Sequence, residues 1–270
     1  MSFEKIRMAV IYLFLWVMAF LSIFPFLWML ISATNESHDI TKGKLTFGTA
    51  VIENYQKFAA LFDVGQIFWN SGKIAVLGSV LTLLVSSLAG YGFEVFKSPI
   101  RERLYQGILV SMMIPFATLM IPLFILLASF DMLDTHLAVI LPTVASAYMV
   151  FYFRQNTKAF PSELRDAARV DGLKEWQIFL FVYVPVMRST YAAAFIIVFM
   201  ATWNSFLWPL IVLQSVELKT ITLVLSSLGS SYTPDFGVIM VATIMATIPT
   251  LAVFFAMQRQ FVEGMLGSVK

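Results

Sequence analysis

Residues 154–188 read RQNTKAFPSELRDAARVDGLKEWQIFLFVYVPVMR. They form the most basic stretch of a 270-residue chain that is 59% apolar and only 13% charged. Pro161-Ser162 offers a helix start: Ser162 can cap, and Glu163 and Asp166 place negative charge near the helix N-terminus. Glu163–Val170 is a good helix former, and Gly172 is placed as the left-handed residue that ends it. A second helix is predicted from about Leu173, with Trp176, Phe179 and Tyr183 recurring at about one turn. Ile178–Met187 is an apolar run of 10 residues, too short to span a bilayer. It reads as a helix lying at the interface or docked under a bundle, and Pro185 breaks it.

Outward from this loop lie six uncharged apolar stretches: 8–31, 74–93, 104–130, 137–153, 189–216 and 236–258. About 20 residues of helix cross the hydrocarbon core. The stretches are continuously apolar rather than alternating, so they are helices and not barrel strands. Thr135 and His136 can extend the short fourth stretch at the interface. The first is too long for a signal-peptide core, and no small-residue cleavage site follows it, so it is expected to be retained. A soluble chain of this length cannot hide so much apolar surface. The mean hydropathy of +0.83 agrees. The expectation is an all-α polytopic membrane protein, a single domain over residues 1–270 with six transmembrane helices and a loop at 154–188.

Lys and Arg divide unevenly between the two sides. Lys5, Arg7, the 94–103 loop, the 154–188 loop, Arg259 and Lys270 together hold 13; Lys42, Lys44, Lys57 and Lys219 make four on the other side. The positive-inside rule then places both termini and the long loop in the cytoplasm. A net charge of +2 without a basic stripe argues against nucleic-acid binding.

The six stretches hold no Asp, Glu, Lys, Arg or His. Ion-coupled transporters and proton pumps usually need such a group in the membrane, although backbone carbonyls also bind Na⁺. No phosphate-binding loop of the form G-x-x-x-x-G-K-[ST] occurs, so ATP hydrolysis is not expected in this chain. His38 and His136 are isolated and read as solvated loop residues rather than metal ligands. The chain has no cysteine and no catalytic constellation. Pro25, Pro115, Pro122, Pro142, Pro209 and Pro249 lie inside the stretches, where each frees a carbonyl; membrane helices also carry more proline in general. Ser86, Ser87, Ala89, Gly90 and Gly92, and Ala192–Ala194, are expected to let helices approach closely.

On the loop, Ala167 and Ala168 are small residues flanked by Arg165, Asp166, Arg169 and Asp171. Small residues permit close approach and charges give register, as a docking knob requires. A solvated amphipathic turn without a partner has the same pattern.

The run Asp166-Ala167-Ala168, three residues, Gly172, nine residues, Val182-Tyr183-Val184-Pro185 resembles the EAA loop of ABC-importer permeases. Asp stands for Glu, Val182 for Ile and Val184 for Leu, while the Ala pair, Gly172 and Pro185 match in place. The resemblance extends over nearly the whole chain. Pro161–Gly172, Trp203–Leu210, Asn70-Ser71, and Gln258-Arg259 with Phe261-Val262 and Gly264 are similar to carbohydrate permeases of the maltose-transporter type. Gly90-Tyr91-Gly92-Phe93-Glu94 departs from it, since that family more often has Ala-Tyr-Ala.

The resemblance implies half of a translocation pathway for a sugar, a di- or oligosaccharide. It implies a second permease subunit, a dimer of ATP-binding subunits holding ATP and Mg²⁺, an extracytoplasmic solute-binding protein and membrane lipid as partners. No cofactor is expected in this chain and no catalytic role. Asp166 is then expected to make a charged contact with the ATPase, Ala167 and Ala168 to allow a close fit, and Gly172 and Pro185 to shape the loop. Trp203, Asn204 and Trp208 are candidates for the substrate pathway, an amide and indoles suiting a sugar; helix packing is the alternative for all three. An ion-coupled secondary transporter and a non-transporting membrane scaffold are the rival classes.

Overall fold

The computed structural model describes residues 3–265. Lys270 and the side chain of Phe261 lie outside the described residues. Among the described residues every regular element is helical: α1 (Phe3–Ala33), α2 (Ser37–Thr41), α3 (Val51–Leu61), α4 (Val64–Val95), α5 (Pro99–Ser111), α6 (Phe116–Ser129), α7 (His136–Val144), α8 (Ala147–Thr157), α9 (Ser162–Val170), α10 (Glu175–Ile178), α11 (Val184–Val186), α12 (Arg188–Trp203), α13 (Leu207–Val212), α14 (Ile221–Gly229) and α15 (Phe236–Met265). A π-helical turn, Phe179–Tyr183, joins α10 to α11.

Arg7–Ala33, Val64–Val95 and Phe236–Gln260 are each long and apolar enough to cross a membrane. Three bent pairs qualify together: α5 with α6 at 102°, α7 with α8 at 42°, and Glu175–Val186 with α12 at 80°. The chain is an all-α polytopic membrane protein with up to six crossings.

Three of the apolar stretches are broken where one helix was expected. Within 137–153, α7 ends at Val144 and α8 starts at Ala147, with a 42° bend between them. Within 104–130, Met113 N–H bonds Val110 O and Ile114 N–H bonds Ser111 O, and Pro115 is extended at φ −60°, ψ 135°. The ring of Pro115 disfavours helix at the residue before it, so α5 stops and α6 restarts in a new direction. Within 189–216, α12 ends at Asn204 and only the six residues of α13 follow before Leu213 turns extended.

The chain forms two compact units, one running through Val64 with Val224–Pro249, the other Gly65–Leu223 with the segment from Thr250. In the first unit, Asn54 Nδ2 donates 3.0 Å hydrogen bonds to Ala33 O and Asn35 O, closing the end of α1 onto α3. The apolar side chains of α1 are exposed along its length, which only a non-aqueous surrounding tolerates.

In the second unit, α4 turns Ser71, Ser79, Thr82, Ser86 and Ser87 inward. A Cβ on Gly90 would lie 2.7 Å from both Arg154 N and Phe153 Cβ, so the backbones of α4 and α8 touch there. Gly92 faces open space. Ala193 and Ala194 are fully buried, the latter against Leu83, Met149 and Phe153.

One proline is matched by a side chain. Pro142 has no N–H for the carbonyl of Ala138 one turn back, and that carbonyl accepts from Trp208 Nε1 at 2.9 Å. The released acceptor is satisfied inside the protein, as a lipid surrounding demands. Ser205 O, just ahead of α13, accepts from Thr222 Oγ1 at 2.8 Å.

Candidate functional site

The 154–188 segment begins deeper than the sequence suggested. Arg154 belongs to α8 and is buried rather than exposed on the loop. Its Nε lies 3.3 Å from Glu94 Oε2, a terminal nitrogen lies 2.7 Å from Glu102 Oε2, and the guanidinium sits 3.8 Å from the centre of the Tyr105 ring. One cation thus ties α8 to the ends of α4 and α5.

Helix α9 occupies Ser162–Val170, within a residue of expectation, but Pro161 and not Ser162 takes the cap position, without a side-chain bond. The proline's fixed φ pre-forms the entry that a serine cap would otherwise supply. Gly172 is left-handed at φ +84°. Its N–H bonds Arg169 O and Leu173 N–H bonds Ala168 O, both at 3.0 Å, which completes a Schellman ending. Arg169 joins Glu175 at 2.6 Å across that turn and lies 3.5 Å from Asp166.

Asp166 and Ala167 are exposed, whereas Ala168 is 7% exposed and seats α9 on the protein. Leu164 and Val170 flank Ala167 at i−3 and i+3, and Val170 is 88% exposed. Leu164–Ala167–Val170 is an outward apolar stripe on an otherwise polar helix. Its three-residue spacing was readable in the sequence, but the adjacent charges drew attention to the alanine pair.

The π-turn carries the loop back to the membrane. Phe179 and Tyr183 stack at 5.4 Å and pack with Tyr91, Phe160 and Met187 in one buried cluster. Pro185 offers no N–H to the turn before it, and a widened π register precedes it. The run 178–187 is therefore docked, not floating at the interface. Tyr183 Oη and Thr157 Oγ1 are 2.6 Å apart in this cluster.

The pathway candidates separate. Trp203 is buried, stacked on Phe199 at 5.8 Å and tilted against Phe68. Asn204 is exposed, but its Nδ2 donates to Met200 O at 2.8 Å in its own helix. Trp208 is buried, with its indole N–H on Ala138 O. The structure does not bring the three together on one surface.

His38 is exposed. His136 is not solvated as expected: it opens α7, is partly buried, and its Nε2 lies 3.1 Å from Leu218 O. The loop before it is pinned by Asp134. That residue is left-handed at φ +55°, and its Oδ1 accepts from the N–H groups of Gln214 and Ser215 at 2.8 and 2.9 Å. The Ser215 hydroxyl also bonds Oδ2. These bonds, the Ser215 hydroxyl foremost, hold the Asp134 carboxyl below the usual carboxylate range. Among the described residues no group of three or more His, Cys, Asp and Glu could hold a metal ion.

A multi-pass helical membrane protein with a structured helix–turn–helix projection between its later crossings is the architecture of a transport-system permease. The chain belongs to the family of binding-protein-dependent transport system inner membrane components, which matches it over residues 82–267. It is 66% identical over 252 residues to the lactose transport system permease protein LacG of Rhizobium radiobacter, covering 93% of this chain and 92% of that one. It is 34% identical over 261 residues to the arabinooligosaccharides transport system permease protein AraQ of Halalkalibacterium halodurans, with 93% and 92% covered. Its fold matches a chain from the crystal structure of a bacterial ABC transporter involved in the import of the acidic polysaccharide alginate. That match has a TM-score of 0.87 at 18% identity, covering 97% of this chain and 99% of the other.

Proposed function

We propose that this chain is one of two permease subunits of an ATP-driven sugar importer and forms half of its translocation pathway. The substrate is a lactose-type disaccharide or a short oligosaccharide, delivered by an extracytoplasmic binding protein. ATP and Mg²⁺ are held by partner ATP-binding subunits, and both termini face the cytoplasm on the side rich in Lys and Arg. The observation that carries this reading is the 66% identity to a lactose permease over nearly the full length of both chains.

In this reading, α9 is the docking helix. The stripe Leu164–Ala167–Val170 meets an apolar cleft of the ATP-binding subunit, and Asp166 supplies a charged contact at its edge. Ala168 anchors the helix from beneath, Gly172 sets the angle to α10, and Pro185 shapes the return to α12. Closure of the ATP-binding subunits pushes this projection as a rigid body, and the membrane helices follow.

The test is reconstitution of the complete complex in proteoliposomes, measuring lactose uptake. Uptake should require ATP and the ATP-binding subunit. Gly172→Pro and Asp166→Lys should each impair assembly or sugar-stimulated ATPase. Uptake that survives loss of the ATP-binding subunit but collapses with the ion gradient would make the protein a secondary transporter instead.

A further inference from the structure

Three interruptions in the helices of the second unit meet around one cavity of about 210 Å³. Phe116 lines it from the first turn after the α5–α6 bend, Ser146 from the α7–α8 break and Ser205 from the α12–α13 break. Interrupted helices at membrane depth are tolerated where they line a polar path, and discontinuous helices form many transporter binding sites.

Five Ser and Thr residues line this cavity. Thr82 Oγ1 donates to Thr143 O at 3.2 Å and Thr143 Oγ1 to Ile140 O at 2.7 Å. Thr202 and Ser205 make no side-chain hydrogen bond among the described residues. Ser146 Oγ accepts from Met149 N at 3.3 Å, which leaves its own proton to give. Three hydroxyls lining the cavity, on Ser146, Thr202 and Ser205, therefore keep a proton to give.

The walls are apolar and fixed. The rings of Phe116 and Trp208 meet edge to face at 5.9 Å, and the bond to Ala138 O locks the indole. No charged side chain lines the cavity. Unspent hydroxyls beside an aromatic wall suit a neutral polyhydroxylated ring; nothing there neutralises a phosphate or carboxylate. The volume falls below the ~300–1,000 Å³ of drug-sized sites, so it takes one ring rather than an oligosaccharide.

We propose that this cavity is a transit site for a single neutral sugar ring, held by Ser146, Thr202 and Ser205 against Trp208. The assignment rests on the sugar-importer reading above and places the contact in this subunit. Trp203 and Asn204 are then structural neighbours of the site, and Trp208 is its wall.

The chain has no cysteine, so Thr202→Cys and Ser205→Cys each introduce a single thiol into it. In the complete transporter in proteoliposomes, with binding protein and ATP, labelling of this chain by a small hydrophilic thiol reagent is timed with and without lactose. Lactose should slow labelling at both positions at least threefold, and leave Tyr232→Cys, on the exposed segment between α14 and α15, unchanged. Thr202→Val should lower the maximal uptake rate at least fivefold, while Thr202→Ser stays near wild type. If the wild-type complex imports lactose but neither thiol is protected and Thr202→Val transports normally, the cavity assignment is wrong and the importer reading stands. If the wild-type complex imports no lactose, the importer reading fails and takes the assignment with it.

Discussion

The Tyr183 hydroxyl donates a 2.6 Å hydrogen bond to Thr157 Oγ1, joining the π-helical turn to the end of α8. The direction follows from proton counting. Thr157 has one hydroxyl proton, and it goes to Phe153 O at 2.7 Å. Thr157 can then only accept, and Tyr183 must give.

Tyr183→Phe keeps the ring stack and removes this donor. A net hydrogen bond contributes about 0.5–1.5 kcal/mol, so a modest fall in the melting temperature of the detergent-solubilised complex is expected. The loop should also transmit less motion, read as a smaller ratio of sugar-stimulated to basal ATPase. Tyr183→Ala removes a fully buried ring and should cost about 3–5 kcal/mol.

Arg154 gathers two carboxylates and one aromatic face, which a lysine cannot reproduce with a single ammonium. Arg154→Lys should destabilise by about 1–3 kcal/mol, short of the ~3–5 kcal/mol for a fully buried pair because Glu102 is half exposed and Glu94 retains Lys97 at 2.7 Å. Glu102→Gln should cost clearly less, as exposed ion pairs do. Thermal unfolding of the two variants side by side checks the ranking.

Two glycines two residues apart should respond with opposite sign. Gly90→Ala forces a Cβ against the backbone of Arg154 and should cost about 1–3 kcal/mol through overpacking. Gly92→Ala meets nothing within 4 Å and should stabilise α4 by about 0.5–1 kcal/mol. Melting temperatures that move in the same direction would contradict the close contact of α4 with α8.

Asp134 gives a pH dependence. Its carboxyl is held below its ordinary value of about 3.9, so the unfolded chain takes up its proton first as pH falls. The stabilisation is fully present above that value and is lost as pH drops through the folded-state value. Asp134→Asn should therefore flatten stability against pH below about 4 and leave the profile near neutrality unchanged in slope. A melting curve series from pH 3 to 7 reads this.

The long apolar runs and α9 were legible in the sequence because composition and capping are local. Gly172 was placed as a left-handed ending and has φ +84°. The bends were not legible. A segment surrounded by lipid carries no hydrophobic periodicity to mark where α5 gives way to α6, or where α12 stops at Asn204. Arg154 looked like a loop residue because its partners lie 52 and 60 positions away. Ala168 looked equivalent to Ala167, but successive residues of α9 face about 100° apart, which buries one and exposes the other. His136 looked isolated for the same reason: its partner carbonyl, on Leu218, is 82 residues distant.

The bond at Pro142 has a bearing on how these helices find their register. Lipid-facing apolar surfaces slide past one another with little preference, and the ion pairs of Arg154 hold α8 rather than α13. Pro142 leaves the carbonyl of Ala138 vacant, and a single indole, on Trp208, is placed to reach it. A slip of one helical turn would orphan the carbonyl and its donor together, two defects at once. The proline thus serves as an address: it makes one alignment of α7 and α13 cheaper than its neighbours, using neutral groups alone.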